Sequence, residues 1–170
     1  LEIENYDIKL SENSLSTIIK NDKIFKKNNK FSRTEYEKFL VKNSLNAIVF
    51  ECLGERTLAA GLREKLVDPS LGYNPLLETR MRTILPFCRA NNTCLITNMG
   101  AANPLAAGNL VANVAGKLGL QGMRIAVVTG DDVTDLLNDN TRLFEPGCTL
   151  KDFEQPVVGA NAYLGAEGIV

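Results

Sequence analysis

Histidine is absent from the 170-residue sequence. Without an imidazole, these residues offer neither Ser-His or Cys-His catalysis nor a histidine-ligated metal. Acid–base chemistry must therefore rely on carboxylates, supported by amides, hydroxyls, thiols and the cations of lysine and arginine. Long apolar runs are also absent, since none approaches the roughly 18 to 20 residues that cross a bilayer.

A net charge of −1 gives no electrostatic attraction to nucleic acid or to a membrane surface. The first four residues lack the basic and then apolar pattern of a secretory signal. Cys-x-x-Cys pairs are missing as well, so Cys52, Cys88, Cys94 and Cys148 are interpreted as buried free thiols. The alternative for Cys52, at the end of a predicted strand, is a thiol that faces a pocket. We expect a cytoplasmic protein that binds a small-molecule substrate, without nucleic acid or membrane partners, as a homo-oligomer or with a second subunit.

Glycine and proline are absent from residues 1–44, whereas residues 45–170 hold all 13 glycines and all 6 prolines. The first 44 residues are therefore interpreted as a divergent or appended segment. Their pattern predicts a strand near residues 3–10 and two amphipathic helices, capped by Ser14 and Ser32. Residues 45–170 are predicted to form one α/β domain. Because the sequence stops where a helix is expected to begin, we expect that domain to be truncated at its C-terminal end.

From residue 45, short apolar strands alternate with amphipathic helices. This alternation is typical of crossover units in a parallel sheet. Pro86 is expected to end or kink the second helix, and Gly119 to end the third. The pattern predicts a partial α/β domain with a doubly wound, Rossmann-like parallel sheet and helices on both faces. The predicted strands are residues 47–50, 94–97 and 124–129, and the predicted helices are residues 55–67, 76–85 and 104–118.

The turn after the second predicted strand has the residues of a ligand-facing turn. Asn103 is suited to cap a helix and Pro104 to occupy its first position. Gly100 permits a close backbone approach, and the alanines around it leave the positive helix end open to an anion or a carbonyl group. The alternative is a tight strand-to-helix turn that needs small residues for packing alone.

Polar side chains follow each of the three predicted strands. Because ligands bind outside the carboxyl ends of parallel strands, we expect Glu51, Asn98 and Asp131 to meet at one edge of the sheet. Proton transfer by Asp131, Asp132 or Glu51 would act on a substrate whose carbonyl or anionic group is held by Asn98, Asn103 and the amides after Gly100. Alternatively, one of the two aspartates only caps the following helix. No metal ligand is assigned, although a hard cation such as magnesium stays open as a cofactor.

Four further residues are candidates for substrate binding. Glu55 and Arg56 start a helix near the same edge, where they form either a surface pair or, through Arg56, an anion site. Gly130 precedes the two aspartates. Tyr163 lies in a glycine-rich segment, residues 159–168, that is predicted to lead into an apolar helix, and its hydroxyl either donates to a ligand or packs. The spacing of this segment matches no nucleotide-binding fingerprint.

Four blocks in this order resemble the acyclic terpene utilisation AtuA family. They are IVFECLGERT at residues 48–57, TNMGAANP at 97–104, VVTGDD at 127–132 and NAYLGA at 161–166. The resemblance implies an α/β protein associated with the breakdown of branched acyclic terpenoids, such as citronellol and geraniol, through acyl-CoA intermediates. Coenzyme A would then enter as part of the substrate.

The sequence also departs from the family pattern. Residues 1–44 contain no glycine and cannot supply the glycine-rich loop expected ahead of the first block, and Gly54 stands where alanine is usual. The leading hypothesis is an enzyme or enzyme subunit with hydratase, lyase or isomerase-like chemistry on a small carboxylate or acyl-CoA-type substrate. The alternatives are a noncatalytic subunit or scaffold completed by a partner, and a phosphate- or nucleotide-binding domain.

Overall fold

The computed structural model describes residues 45–166 together with residues 168 and 169. The strand and helices predicted within the first 44 residues lie outside this part of the chain. Two parallel strands and three helices make up the regular structure of the described residues, followed by two short 3₁₀ turns. In chain order they are β1 (Ala47–Phe50), α1 (Glu55–Val67), α2 (Leu77–Asn91), β2 (Cys94–Thr97), α3 (Pro104–Lys117) and the 3₁₀ turns Thr134–Leu136 and Leu150–Asp152.

The two strands pair in parallel, with Ala47 opposite Cys94 and Phe50 opposite Thr97. Parallel strands need a long crossover connection, which α1 and α2 provide here. At the carboxyl end, the Thr97 hydroxyl donates to the Phe50 carbonyl oxygen at 3.0 Å. Both strands therefore end side by side, and the residue after each emerges at the same edge.

The predicted α/β arrangement with parallel strands is confirmed. The prediction of a third strand at residues 124–129 is wrong. This segment has no ladder in the described part of the chain. Val127 packs so closely on α3 that a Cβ added at Gly108 would lie 2.5 Å from its Cγ2. One residue of this apolar run, Val127, therefore packs on a helix, whereas Val128 is 48% exposed. The doubly wound, Rossmann-like sheet stays a prediction.

Helix α1 begins at Glu55, as predicted. The Gly54 amide donates to the Thr57 hydroxyl at 2.7 Å, and that hydroxyl donates back to the Gly54 carbonyl at 2.7 Å. These bonds satisfy backbone groups that a helix start leaves without partners. Gly54 has no side chain to cap the helix, and the Thr57 hydroxyl caps it instead.

Helix α2 does not end at Pro86 but continues to Asn91. Proline removes one helical hydrogen bond, yet the residues on either side of it bury a full apolar face. Packing of this face maintains the helix across the missing bond. The buried side chains of α2 are Leu77, Met81, Ile84, Leu85 and Cys88.

Helix α3 confirms the predicted cap and stop signals. The Asn103 side chain accepts from the Ala106 amide at 3.3 Å, and Pro104 occupies the first turn. At the other end Gly119 has a φ of +69°, and the Leu120 amide donates to the Ala115 carbonyl at 2.9 Å. This is the paired-bond ending that glycine favours after a helix.

The hydrophobic core lies between α2, α3 and the two strands. Its most deeply buried large side chains are Leu77, Met81, Met99 and Val114. Met99 comes from the turn after β2, so the same turn that borders the candidate site is anchored in the core. Of the four cysteines, only Cys88 is buried and the other three are half-buried, which corrects the expectation of four buried thiols.

The helix predicted after Asp131 and Asp132 is not formed, and a 3₁₀ turn, Thr134–Leu136, replaces it. The apolar helix expected beyond the glycine-rich segment 159–168, at the end of the sequence, stays a prediction. Short helices are stable mainly when an apolar face is packed, but Leu136 is 74% exposed. Within the described residues, no helix has the length and apolar composition needed to cross a bilayer.

Candidate functional site

Glu51 and Asn98 meet where the two strands end. The Asn98 side-chain amide donates to Glu51 Oε1 at 3.1 Å, and the Leu53 amide donates to the same oxygen at 3.0 Å. The Cys52 amide donates to Asn98 Oδ1 at 2.7 Å. We refer to Glu51, Cys52 and Asn98 as the strand-end site. Its carboxylate and carboxamide are exposed, but both are oriented by hydrogen bonds across the two strand ends.

The backbone amides after Gly100 do not form the open anion site that the sequence predicts. The Ala101 amide donates to the Asn98 carbonyl at 3.2 Å, the Ala102 amide to Gly72 at 2.9 Å and the Asn103 amide to Gly100 at 2.9 Å. A Cβ at Gly100 would lie 2.9 Å from Pro104 Cα. Gly100 is thus required for packing at the start of α3, as the alternative interpretation of this turn expects.

Asn103 joins two segments of the chain. Its Nδ2 donates to the carbonyl oxygens of Pro69 at 2.8 Å and Leu71 at 2.7 Å, while its Oδ1 accepts from Ala106. The residue is only 8% exposed. Both ends of the carboxamide are therefore engaged by the protein, and Asn103 positions α3 rather than offering free polar atoms to a substrate.

The two aspartates differ in their surroundings. Asp132 Oδ1 accepts from the Thr134 amide at 3.1 Å and from its hydroxyl at 2.7 Å, so Asp132 caps the 3₁₀ turn. These bonds, led by the hydroxyl, lower the pKa of Asp132, and the charge of Lys65 adds a smaller effect. Asp131 Oδ2 instead accepts from the Asn161 side chain at 3.0 Å, and its carbonyl accepts from Ala162 at 2.7 Å.

Asp131 is not joined to the strand-end site. Among the described residues, no hydrogen bond or ion pair links either aspartate to Glu51 or Asn98. Gly130 has a φ of +117°, and a Cβ there would lie 3.8 Å from Leu164 Cδ1. The segment is thus held by the loop around Asn161 rather than by a strand ladder, and the meeting of Asp131 with Glu51 and Asn98 at one edge stays a prediction.

No group of three or more histidine, cysteine or carboxylate side chains in the described residues is arranged to hold a metal ion. This part of the chain therefore offers no such cluster to support a magnesium ligand set at the strand ends.

Tyr163 connects the loop after Asn161 to the start of α1. Its hydroxyl donates to Glu55 Oε1 at 2.7 Å. This bond is the main reason that the pKa of Glu55 is lowered and the pKa of Tyr163 raised. Arg56, beside Glu55, is exposed. The structure therefore pairs Glu55 with Tyr163 and does not link either of them to the strand-end site by a hydrogen bond.

Arg80 is a site residue that the sequence interpretation missed. It lies in the first turn of α2, and its Nη1 donates to Cys52 Sγ at 2.8 Å. A signal was present in the sequence, because Arg80 is three residues after Leu77 and four before Ile84. This spacing places an arginine on the buried face of the helix.

Comparison with known proteins gives a family but no individual relative. No curated protein and no solved structure matches the chain significantly. The family model described as "Acyclic terpene utilisation family protein AtuA" matches residues 29–170. The matched range covers most of the chain and extends upstream of residue 48, where the first of the four resembling blocks begins. The chain belongs to the acyclic terpene utilisation AtuA family.

Proposed function

We propose that the chain is an enzyme or enzyme subunit that transfers a proton to or from a small carboxylate or acyl-CoA-type substrate. The observation that carries this proposal is the oriented Glu51 carboxylate, which accepts from Asn98 at 3.1 Å at the shared carboxyl end of two parallel strands. Ligands of parallel α/β sheets bind outside this end of the strands. The site is therefore in the place where a substrate of this fold class is expected.

Glu51 has the properties of a general base. Two N–H donors hold its Oε1, while its Oε2 has no protein partner among the described residues. A carboxylate fixed through one oxygen can take a proton on the other without losing its orientation. Asn98 adds an N–H donor at the same edge, which would stabilise negative charge developing on a substrate carbonyl.

The chemistry proposed is of the hydratase, lyase or isomerase type, in the breakdown of acyclic terpenoids such as citronellol and geraniol or of related branched acyl-CoA compounds. Family membership supports this substrate class. Glu51 is the favoured base because it lies at the strand ends. Asp131 is the second choice, since Asp132 is engaged by Thr134. The internally bonded amides after Gly100 leave the nucleotide-binding alternative without a supporting observation.

Proton exchange tests this proposal directly. The chain would be incubated in D₂O with branched acyl-CoA thioesters and with the matching free acids, and deuterium uptake next to the carbonyl followed by NMR. We expect uptake that falls about 100-fold or more in Glu51→Gln, in line with the usual loss of a general base. Glu64→Gln, an exposed change on α1, is the matched control and should retain the rate. Uptake that persists in Glu51→Gln, or its absence with every compound, would overturn the proposal.

A noncatalytic subunit is the second candidate, and exposed apolar side chains favour it. Phe144 is 95% exposed and Val67 is 88% exposed, and a partner that covered them would remove this apolar surface from water. Sedimentation of the chain should then show association that weakens in Phe144→Ser. A monomer at every concentration that still exchanges substrate protons would decide against this candidate.

A further inference from the structure

Arg80 borders the strand-end site from the side of α2. Its Nη1 contacts Cys52 Sγ at 2.8 Å and Met99 Sδ at 3.9 Å. Its guanidinium carbon lies 5.8 Å from the centre of the Phe50 ring. These three neighbours belong to the end of β1 and to the turn after β2, so they place a half-buried cation at the edge where Glu51 and Asn98 meet.

The charge of Arg80 has no carboxylate partner in the described part of the chain. The neighbouring Arg82 does have one, because it pairs with Glu78 at 2.6 Å. Sulfur is a weak acceptor, and a guanidinium carries five N–H donors. Both sulfur contacts use Nη1, so Nε and Nη2 have no hydrogen-bond acceptor among the described residues. A partly desolvated cation with donors left over is stabilised by taking up an anion.

We propose that Arg80 binds the carboxylate group of a small organic acid at the strand-end site, beside the Cys52 thiol. This inference rests on the proposed function, because it assigns the anionic group of a substrate to the same site. The planar guanidinium matches the two oxygens of a carboxylate. Once bound there, the rest of the acid extends over Cys52 towards the Glu51 carboxylate and the Asn98 carboxamide.

A carboxylate is favoured over a phosphate group for reasons of charge. Phosphate carries up to two negative charges at neutral pH, and Glu51, adjacent to Cys52 in the chain, contributes a further one. Within the described residues, no lysine or second arginine is hydrogen-bonded to Glu51, Cys52 or Asn98. With Arg80 and Glu51 both counted, a bound carboxylate leaves one negative charge in excess at the site, whereas a doubly charged phosphate leaves two and meets stronger like-charge repulsion.

The position of Cys52 provides a direct readout of binding. Iodoacetate and iodoacetamide alkylate the same thiols, but only iodoacetate carries a carboxylate. In each reaction the sulfur loses its proton to solvent and displaces iodide, so a carbon–sulfur bond forms as the carbon–iodine bond breaks. If Arg80 binds carboxylates, iodoacetate is delivered to Cys52 Sγ, and its labelling rate saturates with concentration.

The measurement is the ratio of the iodoacetate rate to the iodoacetamide rate at each cysteine, from mass spectrometry of the full chain. The half-buried Cys148 supplies the internal reference ratio. We expect the ratio at Cys52 to exceed that at Cys148 about tenfold, which corresponds to one charge-assisted hydrogen bond. The ratio should fall to the reference in Arg80→Gln and to an intermediate value in Arg80→Lys, which keeps the charge but not the planar fork.

Arg82→Gln is the matched control, because it removes an arginine two residues away whose charge is already paired. It should leave the ratio unchanged. Isovalerate, a small branched acid, should slow the reaction of iodoacetate with Cys52, and inorganic phosphate at the same concentration should do so less. Protection by phosphate that equals or exceeds that of isovalerate would overturn the carboxylate assignment.

Equal ratios at Cys52 and Cys148 in the unmodified protein would overturn the role of Arg80 without the need for any variant. A preference that survives in Arg80→Gln would do the same. Neither result depends on turnover, whereas the proposed function is judged by deuterium uptake in Glu51→Gln. The two proposals therefore fail in separate experiments.

Discussion

Gly61 and Gly72 bring α1 into backbone contact with the loop that follows it. A Cβ added at Gly61 would lie 2.7 Å from the Gly72 carbonyl oxygen, and one added at Gly72 would lie 2.9 Å from the Gly61 oxygen. Gly72 also has a φ of +101° and accepts from the Ala102 amide at 2.9 Å. This contact holds the turn after β2 against α1, which makes it a structural support of the strand-end site.

Replacing Gly61 by alanine should destabilise the protein. The added methyl group meets a backbone oxygen that cannot move without displacing Gly72, so we expect the free energy of unfolding to fall by about 1–3 kcal/mol. Urea unfolding of the full chain measures this change.

Gly116→Ala is the matched control for Gly61→Ala. Gly116 is also helical, in α3, but a Cβ there meets nothing within 4 Å. The same substitution should raise the free energy of unfolding by roughly 0.5–1 kcal/mol, because alanine is the better helix former. Equal effects of the two changes would contradict the backbone contact.

Asn103→Ala should lower stability through two separable effects. The change removes the cap of α3, which is worth about 1 kcal/mol, and leaves the Pro69 and Leu71 carbonyls without their donor. Asn103→Asp keeps an acceptor for the cap but loses both donated bonds. We expect both variants to unfold at lower urea concentration than the unmodified protein. An aspartate variant as stable as the unmodified protein would show that the two donated bonds do not contribute.

The Tyr163–Glu55 hydrogen bond should contribute to the stability of the folded protein in a way that depends on pH. The pKa of Glu55 is lowered in the folded protein, so the bond stabilises fully above the ordinary glutamate pKa and is lost as the pH falls through the lowered value. The pKa of Tyr163 is raised, so its contribution is present below the ordinary tyrosine pKa and is lost as the pH rises through the raised value.

Tyr163→Phe tests this pair. Removing the phenolic donor should return the pKa of Glu55 towards the ordinary value of 4.5, as followed by NMR titration of the glutamate carboxyl carbons. Both side chains are exposed, so the effect on the midpoint of unfolding should be small. An unchanged titration of Glu55 in the variant would contradict the hydrogen bond.

Cys88 should be the slowest of the four cysteines to react. Burial, with a smaller contribution from Cys94, raises the pKa of its thiol to about 11, and the thiolate is the reactive form. At pH 8 in the folded protein, iodoacetamide should label Cys148 well before Cys88. In urea the two rates should converge, and labelling of Cys88 as fast as Cys148 before unfolding would contradict its burial.

Local chemistry explains what the sequence predicts correctly. Asn103 and Pro104 start α3, and Gly119 ends it, because cap and stop signals act within a few residues. The strands Ala47–Phe50 and Cys94–Thr97 are also as predicted. The adjacency of Glu51 and Asn98 follows from the parallel pairing of those strands, so part of the candidate site was predictable as well.

Long-range packing explains what the sequence does not predict. The run at residues 124–129 has the composition of a strand, but its Val127 packs against Gly108 of α3. Pro86 does not end α2, whose buried face continues past it to Cys88, while the alternative that Pro86 kinks the helix stays a prediction. The sequence shows that Arg80 is a single charge on the apolar face of α2. It does not show that Arg80 contacts Cys52, because that contact depends on how α2 packs against the end of β1.

The one-to-one register between Phe50 and Thr97 has an evolutionary corollary. Inserting a single amino acid into either strand would turn the following polar side chain to the opposite side of the sheet, whereas lengthening the α1–α2 crossover would leave it in place. Homologues that share this chemistry should therefore differ in the length of the crossover between β1 and β2. The acid that corresponds to Glu51 should always follow directly after the first strand.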